Sequence, residues 1–344
     1  MTQVIDVHAY VGPAMELIYE TATPEFRGQW AMIEQMLELA KPIPGIGDWD
    51  APYLYLPPQP HQSVAGAWPE PVFPAGIEPP AVPLNDIEPR VLHDNPRGRL
   101  AAMDRAGVTC QVISPGPSID ACIGLPSNIA AGVLGAYNRY ILSYCGHAPD
   151  RLKAVLQLHA GEPHWSAREV EDLVSDHCVA AVAICMPVKL APDARDLQPL
   201  WDALDRTRTP VLQRPGIAAR VWTPERLLTY LNLTGVLDRY PHLRLGFAGS
   251  GVAHLGSLTK LLSNGHQEFR GDGAPKFYLT ANGGDNAAAI AAAAAVMGAE
   301  CLLWESRFPY CNGSYSPGPA LERLDSAQRT AVLGENARRY FAHV

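Results

Sequence analysis

Two short segments near opposite ends of the chain hold the side chains best suited to chemistry. One is Asp6-Val7-His8-Ala9-Tyr10, the other Trp304-Glu305-Ser306-Arg307, and Arg214 lies between them. His8 brings an imidazole and Glu305 a carboxylate, each able to act as a general acid or base. Arg214 and Arg307 bring guanidinium groups, which stay protonated at physiological pH and have no lone pair for a metal. Guanidinium groups grip carboxylates through paired hydrogen bonds, so Arg214, Arg307 and the hydroxyl of Tyr10 are candidates for binding an anion or a carboxylate substrate. One imidazole cannot supply the three or four donors of a catalytic zinc-type site. The chemistry open to these residues is therefore proton transfer at His8 or Glu305, or anion binding by the arginines. A purely structural use of the same charges stands beside both.

The elements that must carry these residues alternate. Strand-like apolar runs occur at Ile5–Tyr10, Val108–Pro115, Leu152–His159, Ala180–Met186, Pro210–Arg214, Leu243–Ala248, Lys276–Thr280 and Cys301–Ser306. None shows clean polar alternation, which is expected of parallel strands covered on both faces. Helical patterns separate them: Trp165–His177, with Ser166 and Glu169 spaced as a capping box; Leu197–Arg206; Pro224–Tyr240 after Thr223; Asn286–Met297; and Ser326–Phe341. Eight strands with interleaved helices predict an α/β fold, a single (β/α)8 barrel spanning residues 1–344. Residues 14–100 break the rhythm as a proline-rich insertion after strand one, an arm or lid. Fourteen of the 32 prolines fall between Pro42 and Pro96, which excludes long helices and central strands there. Its aromatic content suits an arm packed on its own barrel mouth or on a neighbouring subunit.

At 344 residues, 47% hydrophobic and 18% charged, the chain can bury a large core. A net charge of -8 offers no footprint for nucleic acid or an anionic membrane. Seven scattered cysteines, odd in number and never spaced C-x-x-C, suit reduced thiols and a cytoplasmic location. The first residues run straight into a strand-like segment rather than a basic head and apolar run, so no secretory signal is expected. His159 and His164 flank a strand end and read as structure, as does His254.

Several ordered landmarks resemble the amidohydrolase-related family that includes aminocarboxymuconate-semialdehyde decarboxylase. They are Asp6-Val-His8, Arg99 through Pro115, Asn138 with Ala148-Pro-Asp150-Arg151-Leu, Pro210-Val-Leu-Gln-Arg214-Pro215, Tyr240-Pro241-His-Leu-Arg244, Leu302 through Tyr310, and Gly334-Glu-Asn336-Ala337. The resemblance implies a barrel with its active site at the C-terminal strand ends, and a divalent ion. That ion is held by an H-x-H pair on strand one, a histidine on strand five and an aspartate on strand eight, with an assisting histidine on strand six.

Carried onto this sequence, the resemblance retains only His8. Tyr10 takes the second histidine's place, Arg214 the strand-five histidine's, Gly249 the strand-six histidine's and Arg307 the aspartate's. No metal or other cofactor is therefore expected at the family site. Arg214 and Arg307 would instead supply counter-charges for Asp6 and Glu305. The implied role is a catalytically degenerate subunit that stabilises or completes a homologous, metal-bearing subunit in a hetero-oligomer, with the divalent transition metal on the partner. The two-subunit 2-aminoisobutyrate hydroxylase is one such pairing in the family. Two alternatives stand: a metal-independent hydrolase of lactonase type that holds a carboxylate with arginines, and a metal-dependent hydrolase or decarboxylase with displaced ligands.

Overall fold

The computed structural model describes residues 3–11, 15–32, 95–115, 119, 125–187, 189–214, 222–249, 251–252, 270–271, 274–308, 317–341 and 344. The segments 33–94 and 309–316, with much of the proline-rich stretch and Tyr310, lie outside the described residues, as does His254.

Eight parallel strands follow one another around the sheet: β1 (Val4–Val11), β2 (Val108–Pro115), β3 (Leu152–His159), β4 (Val179–Cys185), β5 (Val211–Gln213), β6 (Leu245–Phe247), β7 (Phe277–Asn282) and β8 (Leu302–Glu305). Each strand pairs with the next in parallel register. The seam between β8 and β1 is joined by two backbone bonds: Arg307 N–H donates to His8 O at 2.9 Å, and Tyr10 N–H to Phe308 O at 2.7 Å. The sheet is thus a nearly closed (β/α)8 barrel, as the alternating pattern predicts.

The helices are α1 (Met15–Thr21), α2 (Pro24–Arg27), α3 (Pro96–Ala106), α4 (Ser127–Cys145), α5 (Pro163–Leu173), α6 (Gln198–Thr207), α7 (Pro224–Leu233), α8 (Val236–Arg239), α9 (Ala287–Met297), α10 (Ser326–Thr330) and α11 (Asn336–Tyr340). The ends of the 14–100 stretch are helical. Thr21 Oγ1 in α1 donates to Ala136 O of α4, and α3 leads directly into β2. The Thr223 cap is present, its hydroxyl accepting from Arg226 N–H. The capping box at Ser166 is not: α5 begins at Pro163, and Ser166 and Glu169 lie inside it. Proline at the first helical position sets the start instead.

Two apolar layers position the mouth. Ala9, Val11, Leu156, Leu158, Val182, Ile184, Leu245, Phe247, Leu279 and Trp304 pack outward against the helices. Ile5, Val7, Val112, Val155, Ala181, Ala183, Leu212, Tyr278 and Leu303 fill the interior. Because side chains alternate along a strand, these inner residues set the direction of those further along. The N-terminal end of the interior is plugged by Tyr340 of α11, whose ring lies tilted 4.6 Å from that of Tyr278 and whose hydroxyl donates to Val211 O at 2.6 Å. The opposite end carries the polar residues. Among the described residues no helix is long and apolar enough to cross a membrane.

Candidate functional site at the barrel mouth

A bulge in β1 decides which of its polar side chains reach the interior. Asp6 pairs with Gln111 and Ala9 with Ile113, so two residues of β1 face one of β2. Val7 is interior and Ala9 faces the helices, so the extra residue reverses the sidedness midway. Asp6 therefore lies on the helix side, while His8 turns inward.

The outward Asp6 is fully buried and accepts four hydrogen bonds. They come from Ser306 N–H (2.8 Å), Ser306 Oγ (2.6 Å), Gln111 Nε2 (2.8 Å) and His8 N–H (3.3 Å). Burial raises its pKa, and these donors oppose the rise. The expected bond from Arg214 or Arg307 to Asp6 is not what the geometry shows, because both arginines belong to the inner side. A different arginine stands behind the network. Arg99 of α3, completely buried, donates to Gln111 Oε1 (2.7 Å), Tyr144 Oη (2.9 Å) and Tyr10 O (2.5 Å), with its guanidinium 5.3 Å from the Phe308 ring.

The inward His8 meets Glu305. Leu303 is interior, so Glu305, two residues on, faces the same way. Glu305 Oε2 lies 3.2 Å from His8 Nδ1 and accepts Gly249 N–H at 2.6 Å, while Oε1 accepts Arg307 Nε at 2.8 Å. Burial pushes the Glu305 pKa up. The bond and charge of His8, the Arg307 guanidinium and the Gly249 N–H outweigh it and hold the pKa at about 2. An ionised carboxylate only accepts, so His8 Nδ1 carries the proton of this bond. His8 Nε2 is buried and has no hydrogen-bond partner among the described residues.

Backbone conformation makes this cluster. Gly249 has φ 75, which turns its N–H toward Glu305 and suits a residue without Cβ. Arg307 has φ 61, a left-handed conformation rare for side-chain-bearing residues, and this folds its guanidinium back over Glu305. Burial lowers the Arg307 pKa, but the charge and bond of Glu305 reverse the shift, so the net change is upward.

Tyr10 and Arg214 also face the mouth. They sit on β1 and the end of β5, opposite each other around the barrel, yet the Arg214 guanidinium lies 6.0 Å from the Tyr10 ring. The Tyr10 ring meets the His8 ring edge-on at 4.5 Å. The structure thus brings together His8, Tyr10, Glu305, Arg307 and Gly249, with Arg214 facing Tyr10.

The residues present do not fit the family ion. Of the five positions implied by resemblance, one is an imidazole, with Nδ1 already bonded to Glu305. Two are guanidinium groups, one is a glycine, and one is a tyrosine. Among the described residues no three His, Cys, Asp or Glu side chains stand close enough to hold a metal.

Sequence reasoning missed two features. Arg307 was expected to neutralise Glu305 and does, but the second partner, His8, went unseen because it is 297 positions away along the chain. His159 read only as structure, yet it ends β3 on the inner face, two residues beyond Gln157 and four beyond interior Val155. The alternation of that strand was the available signal.

The sequence matches the family profile described as Amidohydrolase over residues 6–342. A search among curated proteins finds no match. The fold is similar to 5-carboxyvanillate decarboxylase LigW from Sphingomonas paucimobilis, with TM-score 0.63 and 16% identity over 99% of each chain. It is similar to the amidohydrolase map2389c from Mycobacterium avium subsp. paratuberculosis K-10, with TM-score 0.69 and 17% identity over 98% of this chain and 97% of that one. A third similar structure is the 2,6-dihydroxybenzoate decarboxylase from Rhizobium, with TM-score 0.56 and 19% identity over 72% of this chain and 88% of that one.

Proposed function

The chain belongs to the amidohydrolase family, and we propose that within it this protein is a metal-poor subunit that supports a metal-bearing homologue in a hetero-oligomeric enzyme. The enzyme would act on a small amino or carboxylic acid, as a two-subunit hydroxylase does. The observation that carries this reading is the 2.8 Å contact between Arg307 and Glu305. A guanidinium stands where the resemblance implies a ligand, bonds the Glu305 carboxylate and would repel a dication. Loss of ion binding leaves a folded barrel whose use lies in what it packs against.

The test is co-expression with a homologue that keeps the H-x-H pair and the strand-eight aspartate. The two chains are expected to co-purify, with metal following the partner and well below one ion per chain when this chain is purified alone. Full, tightly held metal in the isolated chain would overturn the reading.

One observation favours a second reading, a metal-independent hydrolase. His8 Nδ1 is held by Glu305 while Nε2 has no bonded partner among the described residues, an arrangement of base and orienting carboxylate. Turnover by the chain alone in excess chelator would select it. A metal-dependent decarboxylase with displaced ligands accords with the similar structures, but no convergence of three donors among the described residues supports it.

A further inference from the structure

Behind the barrel wall, away from the mouth, lies a cavity that the His8–Glu305 cluster does not use. It is enclosed between the outer side of β4, β5 and β6 and the helices α6 and α7. Val211 and Leu245 line it from the strands, Leu227 and Leu231 from α7. Trp222 lines it too, from the residue before the Thr223 cap. Trp222 and Leu227 have the spacing of a hydrophobic staple, which sets a large ring against the first turn of α7. The cavity leaves about 20 Å³ open to the centre of an added atom. Taken as a sphere that space is roughly 3.4 Å across, enough for about three or four heavy atoms at a bonded spacing near 1.5 Å.

One side-chain donor of this lining is orphaned. Trp222 is 8% exposed, and its Nε1–H has no hydrogen-bond partner among the described residues. Its ring is held edge-on to Tyr230 at 5.2 Å, with the Arg226 guanidinium 5.1 Å from its centre. The other polar side chains of the lining are engaged. Trp201 Nε1 donates to Pro192 O at 2.9 Å. The Gln213 amide donates to Ile184 O at 2.9 Å and accepts Ile184 N–H at 3.1 Å. None of the nine lining residues is charged.

These walls select a chemistry. A buried donor without a partner is costly, and an oxygen brought by a ligand would satisfy it. A lone water needs about 2–4 polar partners, more than one N–H supplies. An ion would be buried without a counter-charge. What fits is an uncharged molecule with a small apolar body and one oxygen that accepts without having to donate.

We propose that this cavity binds a small ketone, its carbonyl oxygen accepting Trp222 Nε1–H and its alkyl groups packed against Leu227, Leu231 and Leu245. The site shares no residue with the barrel mouth. It goes beyond the subunit reading and stands or falls on this chain alone.

The test is NMR titration of the full chain, labelled with ¹⁵N-tryptophan, using acetone and acetate as probes. The two have the same shape, and only acetate is charged. With four heavy atoms acetone is expected to bind in the range of about 0.1–10 mM. The Trp222 indole N–H resonance, assigned from its loss in Trp222→Phe, should move downfield and saturate with acetone. Acetate should give no saturable shift. Saturation-transfer spectra of the acetone methyl groups should show about 5-fold weaker binding to Trp222→Phe, which keeps an aromatic ring but has no N–H. Acetone held equally by that variant overturns the proposal, as does acetate bound as well as acetone. So does a Trp222 resonance that only drifts linearly, or one in contact with a long-lived water that acetone does not displace. If Trp222→Phe fails to fold, the resonance is assigned from its proximity to the Tyr230 ring, and the wild-type titrations decide.

Discussion

Arg307 Nε donates to Glu305 Oε1 from only two positions further along the chain. A regular strand would send both side chains the same way with their ends apart. The left-handed backbone at Arg307 folds the guanidinium back onto the carboxylate, and the same turn presents Arg307 N–H to His8 O across the seam. One residue therefore supplies both the charge beside Glu305 and a bond that closes the barrel.

Arg307→Ala leaves the fully buried Glu305 without its cation, and breaking such a pair is expected to cost roughly 3 kcal/mol. Arg307→Gly loses the same pair but is free of the Cβ clash at φ 61, so it should lose about 1 kcal/mol less than the alanine variant. Urea denaturation of both variants measures the two effects. Wild-type stability in Arg307→Ala would remove the structural role assigned to the pair.

Glu305 makes stability depend on pH in a defined direction. Its folded pKa, about 2, lies below the ordinary 4.5, so its contribution is fully present above pH 4.5 and lost as pH falls toward 2. The stability difference between wild type and Glu305→Gln should therefore shrink between pH 4.5 and pH 2. Taking the difference cancels the opposite tendency of Asp6, whose raised pKa favours the protonated form in the fold. A constant difference across that range would contradict the ion pairing.

Arg99 is the fully buried cation behind β1. Arg99→Met keeps the apolar stem but removes the donors to Gln111, Tyr144 and Tyr10, a loss expected to cost roughly 3 kcal/mol. Hydrogen exchange should also quicken at the Tyr10 and Arg307 amides, which form the seam. Unchanged exchange there would show that Arg99 does not brace the closure.

Much of the architecture was readable because buried parallel strands announce themselves as apolar runs. Val108–Pro115 and Leu152–His159 have the boundaries their hydrophobicity predicts, and the other strands differ by a residue or two at their ends. The unsuitability of Arg214 and Arg307 as metal donors was equally plain, since a guanidinium's lack of lone pairs is a property of the residue. What could not be read was sidedness. No residue type marks the bulge after Asp6, so Asp6 was expected to share the inner arginines and instead faces Gln111. The Ser166–Glu169 spacing fits a capping box, but tertiary partners claimed both residues. Ser166 bonds the His159 backbone, and Glu169 accepts from Asn138 Nδ2 at 2.9 Å.

The positive φ of Gly249 reaches further than the hydrogen bond it serves. Placing an imidazole at that position would force a bulky side chain into a main-chain conformation that L-residues resist by roughly 1–2 kcal/mol. Placing an aspartate at 307 would strip Glu305 of the guanidinium bonded to it before any ion had arrived. Building a ligand set at this mouth one residue at a time would therefore pass through forms less stable than the present one, so the barrel resists stepwise acquisition of an ion site.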